Sequence, residues 1–258
     1  MLDGLDHPHY VAPTGGALLD LAPRTGGEGD GLRNVFQAAG LLPGDAVHYT
    51  DVRLLADGPA RAVQYRGTLD GHPGIHVATR YELRPCDEGV RIRTEIVNLE
   101  PDPYPMFLVD AFYWGDREHQ PFTPGAGFDH PSFGLTDIPD VLRTVPWMAA
   151  VAHGGGAASY GVTACEGDTV TGFQSRELTA MGPPKRILGP RDREVYERFV
   201  AVDAGTDVDS VVGVLHTVRA RLYGEELVTV TGRLVPDDGG PLGDVVRASV
   251  QAVGPDGR

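Results

Sequence analysis

The stretch IHVATRYELRPCDEGVRIRTEIVN, residues 75–98, decides the fold. Apolar and polar residues alternate with a period of two at both of its ends, which predicts two half-buried β-strands. The segment RPCDEG between them predicts an antiparallel hairpin. Pairing Leu83 with Val90 puts both apolar sets on one face, and the same register sets Glu82 opposite Arg91. Hydrophobic pattern and charge therefore agree on one antiparallel sheet.

The composition of the chain fits a β-rich fold with many turns. Its 258 residues are 41% hydrophobic and 22% charged, and they include 35 glycines and 21 prolines. A chain of this length can bury a sizeable core as one main domain, and turns at short intervals favour strands over long helices. We predict an all-β fold, a large two-sheet antiparallel sandwich with one or two short helices. Further strands are predicted at residues 17–21, 47–55, 62–69, 106–114, 160–164, 170–173 and 195–202.

Two segments carry a helical pattern. After Asp30, apolar residues recur at the spacing of one helical face, which predicts a short helix. A longer helix is predicted to begin at Asp209 and to end at Gly224, a residue suited to the left-handed position after a helix. Residues 133–156 are punctuated by Pro, Gly and Ala, and we assign no element there. The apolar residues of the first segment are Leu32, Val35, Phe36 and Ala39.

The charge of the chain limits its partners. The formal net charge is -14 at pH 7, so the electrostatic field of the molecule repels phosphate backbones and anionic lipid surfaces. We expect no nucleic-acid partner. We also expect no insertion into a membrane, because no segment approaches the roughly 20 apolar residues of a membrane-spanning helix. The N-terminus MLDGLDHPHY has neither a basic start nor an apolar core, so no signal peptide is expected.

Cysteine and histidine form no recognisable metal site in the sequence. Cys86 and Cys165 are the two cysteines of the chain, and neither belongs to a C-x-x-C pair. Two unpaired thiols are favoured over one disulfide between them. His7 and His9 have a spacing that some metal-dependent hydrolases use, but no apolar strand precedes them to hold the rings. We expect no metal and no cofactor.

Candidate ligand-binding residues concentrate in LVDAFYWGDREHQPFTPGAGFDH, residues 108–130. An apolar run, predicted as a strand, leads into a loop that is punctuated by Pro and Gly and rich in aromatic, acidic and imidazole groups. Such a loop at the end of a rigid strand is a common place for a site. Sugars are held by aromatic faces that stack on their C–H surfaces and by planar polar groups that bind their hydroxyls. The candidates are Asp110, Tyr113, Trp114, Asp116, Glu118, His119, Phe122 and His130.

Two other interpretations of the same stretch stay open. In the first, Trp114, Phe122 and Phe128 belong to the core, the acids cap turns, and the loop closes one end of the sandwich. In the second, the acidic and imidazole groups of the loop bind a metal ion, which the residue types allow but the spacing does not support. The groups concerned are Asp116, Glu118, His119 and His130.

The pattern resembles known fold families. The order of short strands, the strand end TEIVN and the segment YWGDREHQPFTPGAGF are similar to the galactose mutarotase-like supersandwich over residues 11–223. The segment TGRLVPDDGGPLGDVVRASV, residues 231–250, resembles the opening strands of a carboxypeptidase regulatory-like domain. The resemblance implies a supersandwich domain at residues 1–224 and an incomplete second β-sandwich, a C-terminal β extension, at residues 225–258. Such modules follow one another in large secreted or surface proteins of bacteria, so a longer multidomain protein is expected.

The same resemblance implies two functions. Aldose mutarotases use a histidine as general acid on the ring oxygen and a carboxylate as base on the anomeric hydroxyl. Here His119 or His130 would be the acid and Glu118 the base, with Asp116 or Asp110 as alternative bases. The N-H-x-Y-F-N-L stretch of that family is absent. We expect a non-catalytic module, carbohydrate-recognising or structural, whose partners are a carbohydrate and the neighbouring domains of an extracellular or cell-envelope protein. An aldose 1-epimerase-like isomerase using His119 and Glu118 is the alternative.

Overall fold

The computed structural model describes residues 33–37, 47–106, 109–113, 119–128, 143–153, 158–164, 170–174, 179–183, 186–224 and 226. Within these residues it contains fifteen strands and one helix, α1, at Val208–Tyr223. The strands are β1 (Arg33–Gln37), β2 (Val47–Asp57), β3 (Ala60–Leu69), β4 (His72–Leu83), β5 (Gly89–Asn98), β6 (Tyr104–Met106), β7 (Val109–Tyr113), β8 (His119–Phe122), β9 (Arg143–Val145), β10 (Trp147–Ala152), β11 (Ser159–Ala164), β12 (Val170–Gln174), β13 (Thr179–Gly182), β14 (Arg186–Leu188) and β15 (Arg193–Asp203).

Two antiparallel sheets and a short ribbon make up the β part of the described chain. The larger sheet has eight strands in the order β2-β3-β4-β5-β15-β11-β10-β8, and the smaller has five in the order β1-β7-β13-β12-β9. Strands β6 and β14 form the ribbon. Buried side chains of the smaller sheet, among them Phe112, Val145 and Met181, share one hydrophobic core with Ile92 and Tyr160 of the larger sheet. The predicted all-β, two-sheet antiparallel sandwich is confirmed.

The hairpin of β4 and β5 has the predicted register, with Glu82 opposite Arg91. Its apolar residues face the core and its charged residues line the other face, as period-two alternation requires. Burial opposes ionisation of Glu82, but the hydrogen bond and charge of Arg84 and the charges of Arg80 and Arg91 outweigh it and lower the pKa of Glu82. The buried apolar side chains of the hairpin include Ile75, Val77, Tyr81, Val90, Ile92 and Ile96.

Asn98, at the end of β5, fixes the turn that follows. Its side-chain amide donates to the carbonyl oxygens of Asp102 and Leu188, each at 2.9 Å. Its Oδ1 accepts from the backbone N–H of Glu100 at 2.8 Å, and the side chain is fully buried. A buried amide with three such partners holds the chain in one conformation. Asn98, the last residue of TEIVN, thus connects the PDPYP turn to β14.

Helix α1 lies on the outer face of the larger sheet, against β10, β11 and β15. Val211 and Leu215 of the helix are fully buried and share a hydrophobic cluster with Trp147, Phe199 and Ala201 of the sheet. The other face of these strands borders the core shared with the smaller sheet. The larger sheet is therefore enclosed on both faces at β10, β11 and β15.

The ends of α1 are set by its capping residues. Asp207 is the N-cap, and its carboxylate accepts from the backbone N–H of Ser210 at 2.9 Å. The predicted start at Asp209 is wrong by a short distance, since Asp209 lies in the first turn, where an acidic side chain also suits the helix dipole. Gly224 ends the helix with a φ of 69°, as predicted.

One predicted helix is a strand. Residues 33–37, expected to continue a helix after Asp30, form β1 and pair antiparallel with β7. Val35 and Phe36 fit a helical stripe, but a segment of five residues is too short to reveal whether its period is two or 3.6. Pairing with β7 decides the conformation. The other residues of the predicted helix lie outside the described residues.

The strand predicted at residues 106–114 and the loop predicted after it are also corrected. The apolar run is divided, because β6 ends at Met106 in the ribbon whereas β7 belongs to the five-stranded sheet. His119, predicted in the loop, begins β8, which pairs with β10 at the edge of the larger sheet. Pro121 lies inside β8, and an edge strand tolerates proline because one side of it needs no N–H donor.

Strands β9, β10, β13 and β14 arise where none was predicted. Strand β10 shows why, since all six of its residues, Trp147–Ala152, are buried. A strand enclosed on both faces has no alternation for a sequence pattern to detect. The predicted strands at 47–55, 62–69, 160–164, 170–173 and 195–202 are confirmed as β2, β3, β11, β12 and β15.

The chain divides into two compact units, Met1–Glu225 and Glu226–Arg258. Glu226 alone is described in the second unit, so the predicted start of a carboxypeptidase regulatory-like domain stays a prediction. The predicted strand at residues 17–21 and the thiol of Cys165 also lie outside the described residues. Cys86 is an exposed free thiol. No helix of the described part has the length and apolarity needed to cross a bilayer.

Candidate functional site

Asp110 is fully buried and faces Arg198 across the sandwich. Asp110 belongs to β7 of the smaller sheet, and Arg198 belongs to β15 of the larger one. Nη2 of Arg198 donates to Oδ1 of Asp110 at 2.7 Å, and its Nε lies 2.6 Å from Oδ2. Both side chains are 0% exposed. The carboxylate that the sequence indicated as a ligand-binding group therefore holds a two-pronged ion pair inside the protein.

A chain of hydroxyl groups continues from Arg198 to Tyr49. Nη1 of Arg198 donates to Oγ1 of Thr94 at 2.7 Å, and Thr94 shares a hydrogen bond of 3.2 Å with Thr79. The hydroxyl of Tyr49 lies 2.7 Å from Oγ1 of Thr79. Burial raises the pKa of Tyr49 to about 12, although Thr79 and Arg198 act in the opposite direction. These hydrogen bonds connect β2 to β7 through the interior of the sandwich.

The guanidinium of Arg198 also lies over the ring of Tyr196, 4.6 Å from its centroid. A ring face beneath a cation adds electrostatic attraction in a desolvated site. Burial alone would lower the pKa of Arg198, but Asp110 and Tyr196 outweigh it, so this pKa is raised. Arg198 therefore stays charged inside the sandwich.

His119 is buried at the start of β8, with 5% of its surface exposed. Its Nε2 lies 3.0 Å from the carbonyl oxygen of Ala158, which can only accept, so Nε2 carries a proton. The imidazole ring packs 5.6 Å from the ring of Tyr160. His119 thus joins β8 to the start of β11 from within the core, and Asp110 lies in the other sheet.

Three aromatic rings form what we name the aromatic platform: Phe122, Phe128 and Trp147. Phe122 stacks on Trp147 with ring centroids 5.6 Å apart and an angle of 8° between planes. Phe128 meets Phe122 edge to face at 4.9 Å. Trp147 is buried, whereas Phe128 is 39% exposed. The platform lies at the edge strand β8, beside α1. The ring centroids of His216 of α1 and Trp147 lie 6.5 Å apart.

The turn between Phe122 and Phe128 positions the exposed ring. Thr123 and Gly127 exchange two backbone hydrogen bonds, of 3.0 and 2.8 Å. Gly125 and Gly127 have φ values of 83° and 66°, which side chains other than glycine rarely adopt. The sequence TPGAG therefore turns the chain back on itself and lays Phe128 against Phe122.

A buried polar group anchors this turn to the rest of the sandwich. Oγ1 of Thr123 donates to Oε1 of Gln174 at 2.5 Å, and Nε2 of Gln174 donates to the carbonyl oxygen of Ala149 at 2.9 Å. Gln174 belongs to β12 of the smaller sheet and Ala149 to β10 of the larger one. The platform thus rests on a rigid support that involves both sheets.

The remaining predicted site residues have no described side chains. Tyr113 lies at the end of β7, opposite Arg33 of β1, and only its backbone is described. The described residues contain no group of three or more His, Cys, Asp or Glu side chains that could hold a metal ion. Of the eight predicted residues, the structure therefore places three. Trp114, Asp116, Glu118 and His130 lie outside the described residues.

Sequence reasoning missed Arg198 and Trp147. A signal existed for Arg198, because it alternates with Tyr196, Val200 and Val202, all buried on the inner side of β15. A charged residue in such a position requires a buried partner. Trp147 lies in a segment without alternation, and no sequence signal placed its ring beneath Phe122.

Solved structures share the fold of this chain. It is similar to the GH36 alpha-galactosidase AgaA from Geobacillus stearothermophilus, with 11% identity, a TM-score of 0.51, and coverage of 73% of this chain and 32% of the enzyme. A variant of that enzyme in complex with 1-deoxygalactonojirimycin gives 12% identity and a TM-score of 0.50 over 73% and 32% of the two chains. Another variant, in complex with stachyose, gives 11% and 0.50 over 71% and 32%.

The similarity to AgaA shows the fold alone at this level of identity. The chain spans about a third of the length of the AgaA structures, since it covers 32% of them. No protein-family model and no curated protein sequence matches the chain. Function must therefore be argued from the chain's own residues.

Proposed function

We propose that this chain is a non-catalytic, carbohydrate-recognising β-sandwich module of a larger protein. The aromatic platform is the observation that carries the proposal. Phe128 exposes 39% of its surface while its ring is fixed against Phe122, which in turn stacks on Trp147. A ring with an apolar face open to solvent suits the C–H surface of a sugar. Because the ring is already held in place, binding costs little side-chain entropy.

Polar groups suited to sugar hydroxyls flank the platform in the sequence. Asp116 and Glu118 precede β8, and His130 follows Phe128 closely. Carboxylates and imidazoles are planar hydrogen-bonding groups that can select among hydroxyl geometries. In this proposal they, together with Tyr113 and Trp114, are the candidate groups for binding sugar hydroxyls.

The surroundings of Asp110 and His119 argue against catalysis by these two residues. The carboxylate of Asp110 is paired with the buried Arg198, and Nε2 of His119 donates to a backbone carbonyl. An acid or base in sugar-ring opening must reach the substrate. Both groups instead hold parts of the sandwich together.

The fold similarity supports galactose-containing sugars as the first ligands to test. The two AgaA variants with this fold were solved with 1-deoxygalactonojirimycin and with stachyose. We further propose a mutarotase-like supersandwich followed by a carboxypeptidase regulatory-like domain in an extracellular or cell-envelope protein. The AgaA chains are about three times as long as the matched region, which is compatible with a module among neighbouring domains.

Proton NMR of galactose, stachyose and glucose with and without the protein tests the proposal. We expect saturation transfer from the protein to at least one sugar and no acceleration of exchange between the anomeric signals. Phe128→Ala should weaken binding about tenfold, equivalent to about 1.4 kcal/mol, because it removes the exposed ring. Leu99→Ala is the matched control, since Leu99 is also an exposed apolar side chain but lies directly after β5.

Each outcome of this experiment has a clear meaning. Accelerated anomeric exchange would overturn the non-catalytic assignment and favour the epimerase-like alternative with His119 and Glu118. Absence of saturation transfer to every sugar would leave a structural module. Equal losses for Phe128→Ala and Leu99→Ala would remove the platform from the binding site.

A further inference from the structure

Strand β2 forms one edge of the eight-stranded sheet. It is eleven residues long, from Val47 to Asp57, and pairs with β3 on one side only within the described part of the chain. The backbone N–H and C=O groups on its other side point away from the sheet. Long edge strands are templates for pairing with another strand.

The far half of β2 exposes apolar side chains on its core face. Val52 lies opposite Tyr65 of β3, and Leu54 lies opposite Val63, which is part of the central core. Yet Val52 is 53% exposed and Leu54 is 70% exposed. At this edge, the core-facing surface of the larger sheet is therefore partly exposed to solvent and is not fully covered by the core. Exposed apolar residues on a sheet edge indicate an interaction surface.

The opposite face of the same segment carries a self-complementary pair of charges. Asp51 and Arg53 flank Val52, and Nε of Arg53 donates to Oδ2 of Asp51 at 2.8 Å. The side chain of Arg53 is 56% exposed and that of Asp51 is 42% exposed. In an antiparallel pairing of two copies centred on Val52, Asp51 of each copy would lie opposite Arg53 of the other. Opposite charges that face each other across strands stabilise pairing, and like charges oppose it.

We propose that β2 is a dimerisation edge that pairs antiparallel with β2 of a second copy of this chain. The two-fold axis passes at Val52, so that Asp51 and Arg53 form two ion pairs between the copies. On the core face, Val52 meets its own copy, and Leu54 is its diagonal neighbour. Because the axis lies at Val52 and the register of β2 is irregular between Tyr49 and Asp51, the regular pairing spans Asp51, Val52 and Arg53 of each copy.

Charge complementarity within one strand identifies the second copy as the partner. When two copies of Asp-Val-Arg pair antiparallel about Val52, each negative charge faces a positive charge of the other copy. An isologous two-fold interface requires this kind of self-complementary surface. The dimer joins two eight-stranded sheets into one continuous sheet. Because its ion pairs are exposed at the surface, salt should weaken it.

Sedimentation velocity of the whole chain over a range of concentrations tests the proposal. We expect a monomer–dimer equilibrium in the wild-type protein. Asp51→Arg and Arg53→Asp should each shift it to monomer at the same concentrations, because each homodimer would then place like charges opposite each other. Mixing these two variants should restore a dimer, since every opposing pair is again of opposite sign. The double exchange, D51R with R53D, should also dimerise.

The controls separate dimerisation from misfolding. Far-UV circular dichroism should be unchanged in all three variants, because the altered side chains are on the surface. Leu54→Lys should weaken the dimer, whereas Ile187→Lys, which changes a 72% exposed residue of the ribbon, should not. A wild-type protein that stays monomeric up to millimolar concentration would refute the proposal. So would a dimer that persists in the single variants, because another surface would then be responsible.

Discussion

Asp110 and Arg198 are linked across the two sheets by contacts of 2.6 and 2.7 Å, with both side chains excluded from solvent. The pair lies in the core between β7 and β15, where hydrophobic packing alone could also hold the layers together. A directional ion pair adds a constraint on how the sheets align. The following prediction measures how strongly the fold depends on it.

Removing one member of the pair should destabilise the protein strongly. Asp110→Asn leaves a buried guanidinium without its counter-charge, and we expect a loss of about 3–5 kcal/mol in the free energy of unfolding. The combination D110L with R198M should be more stable than either single variant, because no unpaired charge remains. Urea unfolding monitored by tryptophan fluorescence would measure both. Glu194→Gln, at the exposed pair with Arg186, is the control and should cost less than about 1 kcal/mol.

Stability should fall between pH 10 and pH 12 because of Tyr49. Its pKa is about 12 in the folded protein and about 10 in an unfolded chain. In that window the unfolded chain releases the proton first, so the stabilisation present below pH 10 is lost as pH rises towards 12. Urea midpoints measured at pH 9, 10 and 11 should decrease, and Tyr49→Phe should decrease less steeply. An identical slope in the variant would assign the effect to other groups.

Replacing His119 should mainly lower the stability of the protein. His119→Ala leaves the carbonyl of Ala158 without its donor inside the core, and we expect a cost of about 1–3 kcal/mol from that group. His119→Gln can still present a donor from its amide and should lose less. Thermal denaturation of both variants would show the order. If His119→Ala kept full stability yet abolished an anomeric exchange activity, the histidine would be catalytic.

Gly213 is a position where the protein can be made more stable. It is exposed in the middle of α1, and no atom lies within 4 Å of the place where a Cβ would stand. Gly213→Ala should add about 0.5–1 kcal/mol, because alanine loses less backbone entropy in a helix. Gly161→Ala is the contrasting variant, since its Cβ would lie 2.8 Å from Cδ1 of the fully buried Leu215 and crowd the contact between β11 and α1. Opposite shifts in melting temperature are expected.

The alternation of apolar and polar residues was sufficient to predict the strands that have one buried and one exposed face. The alternation in β4 and β5 predicts their pairing to the residue, including Glu82 opposite Arg91. It fails where both faces are buried, as in β10, and where the segment is as short as β1. A strand shows a two-residue alternation in its sequence only when one of its faces is exposed to solvent.

The candidate site was predictable in residue type and less so in arrangement. Phe122 was identified as an aromatic contact, but its stacking on Trp147 depends on the pairing of β8 with β10. Asp110 was identified as an important acid, yet its partner Arg198 is distant in sequence. A pairing of this kind follows from tertiary topology, which local propensity does not contain.

The position of β15 between β5 and β11 has a consequence for synthesis on the ribosome. Strands β2 to β5 form a consecutive meander that is complete at Asn98, but the partner of β5 begins only at Arg193. At roughly 5–20 residues per second, translation needs on the order of 5–20 s to supply it. During that interval the β5 edge of the nascent chain has no permanent neighbour. The charged side chains at every second position of β5, Arg91, Arg93 and Glu95, then oppose its pairing with other nascent chains.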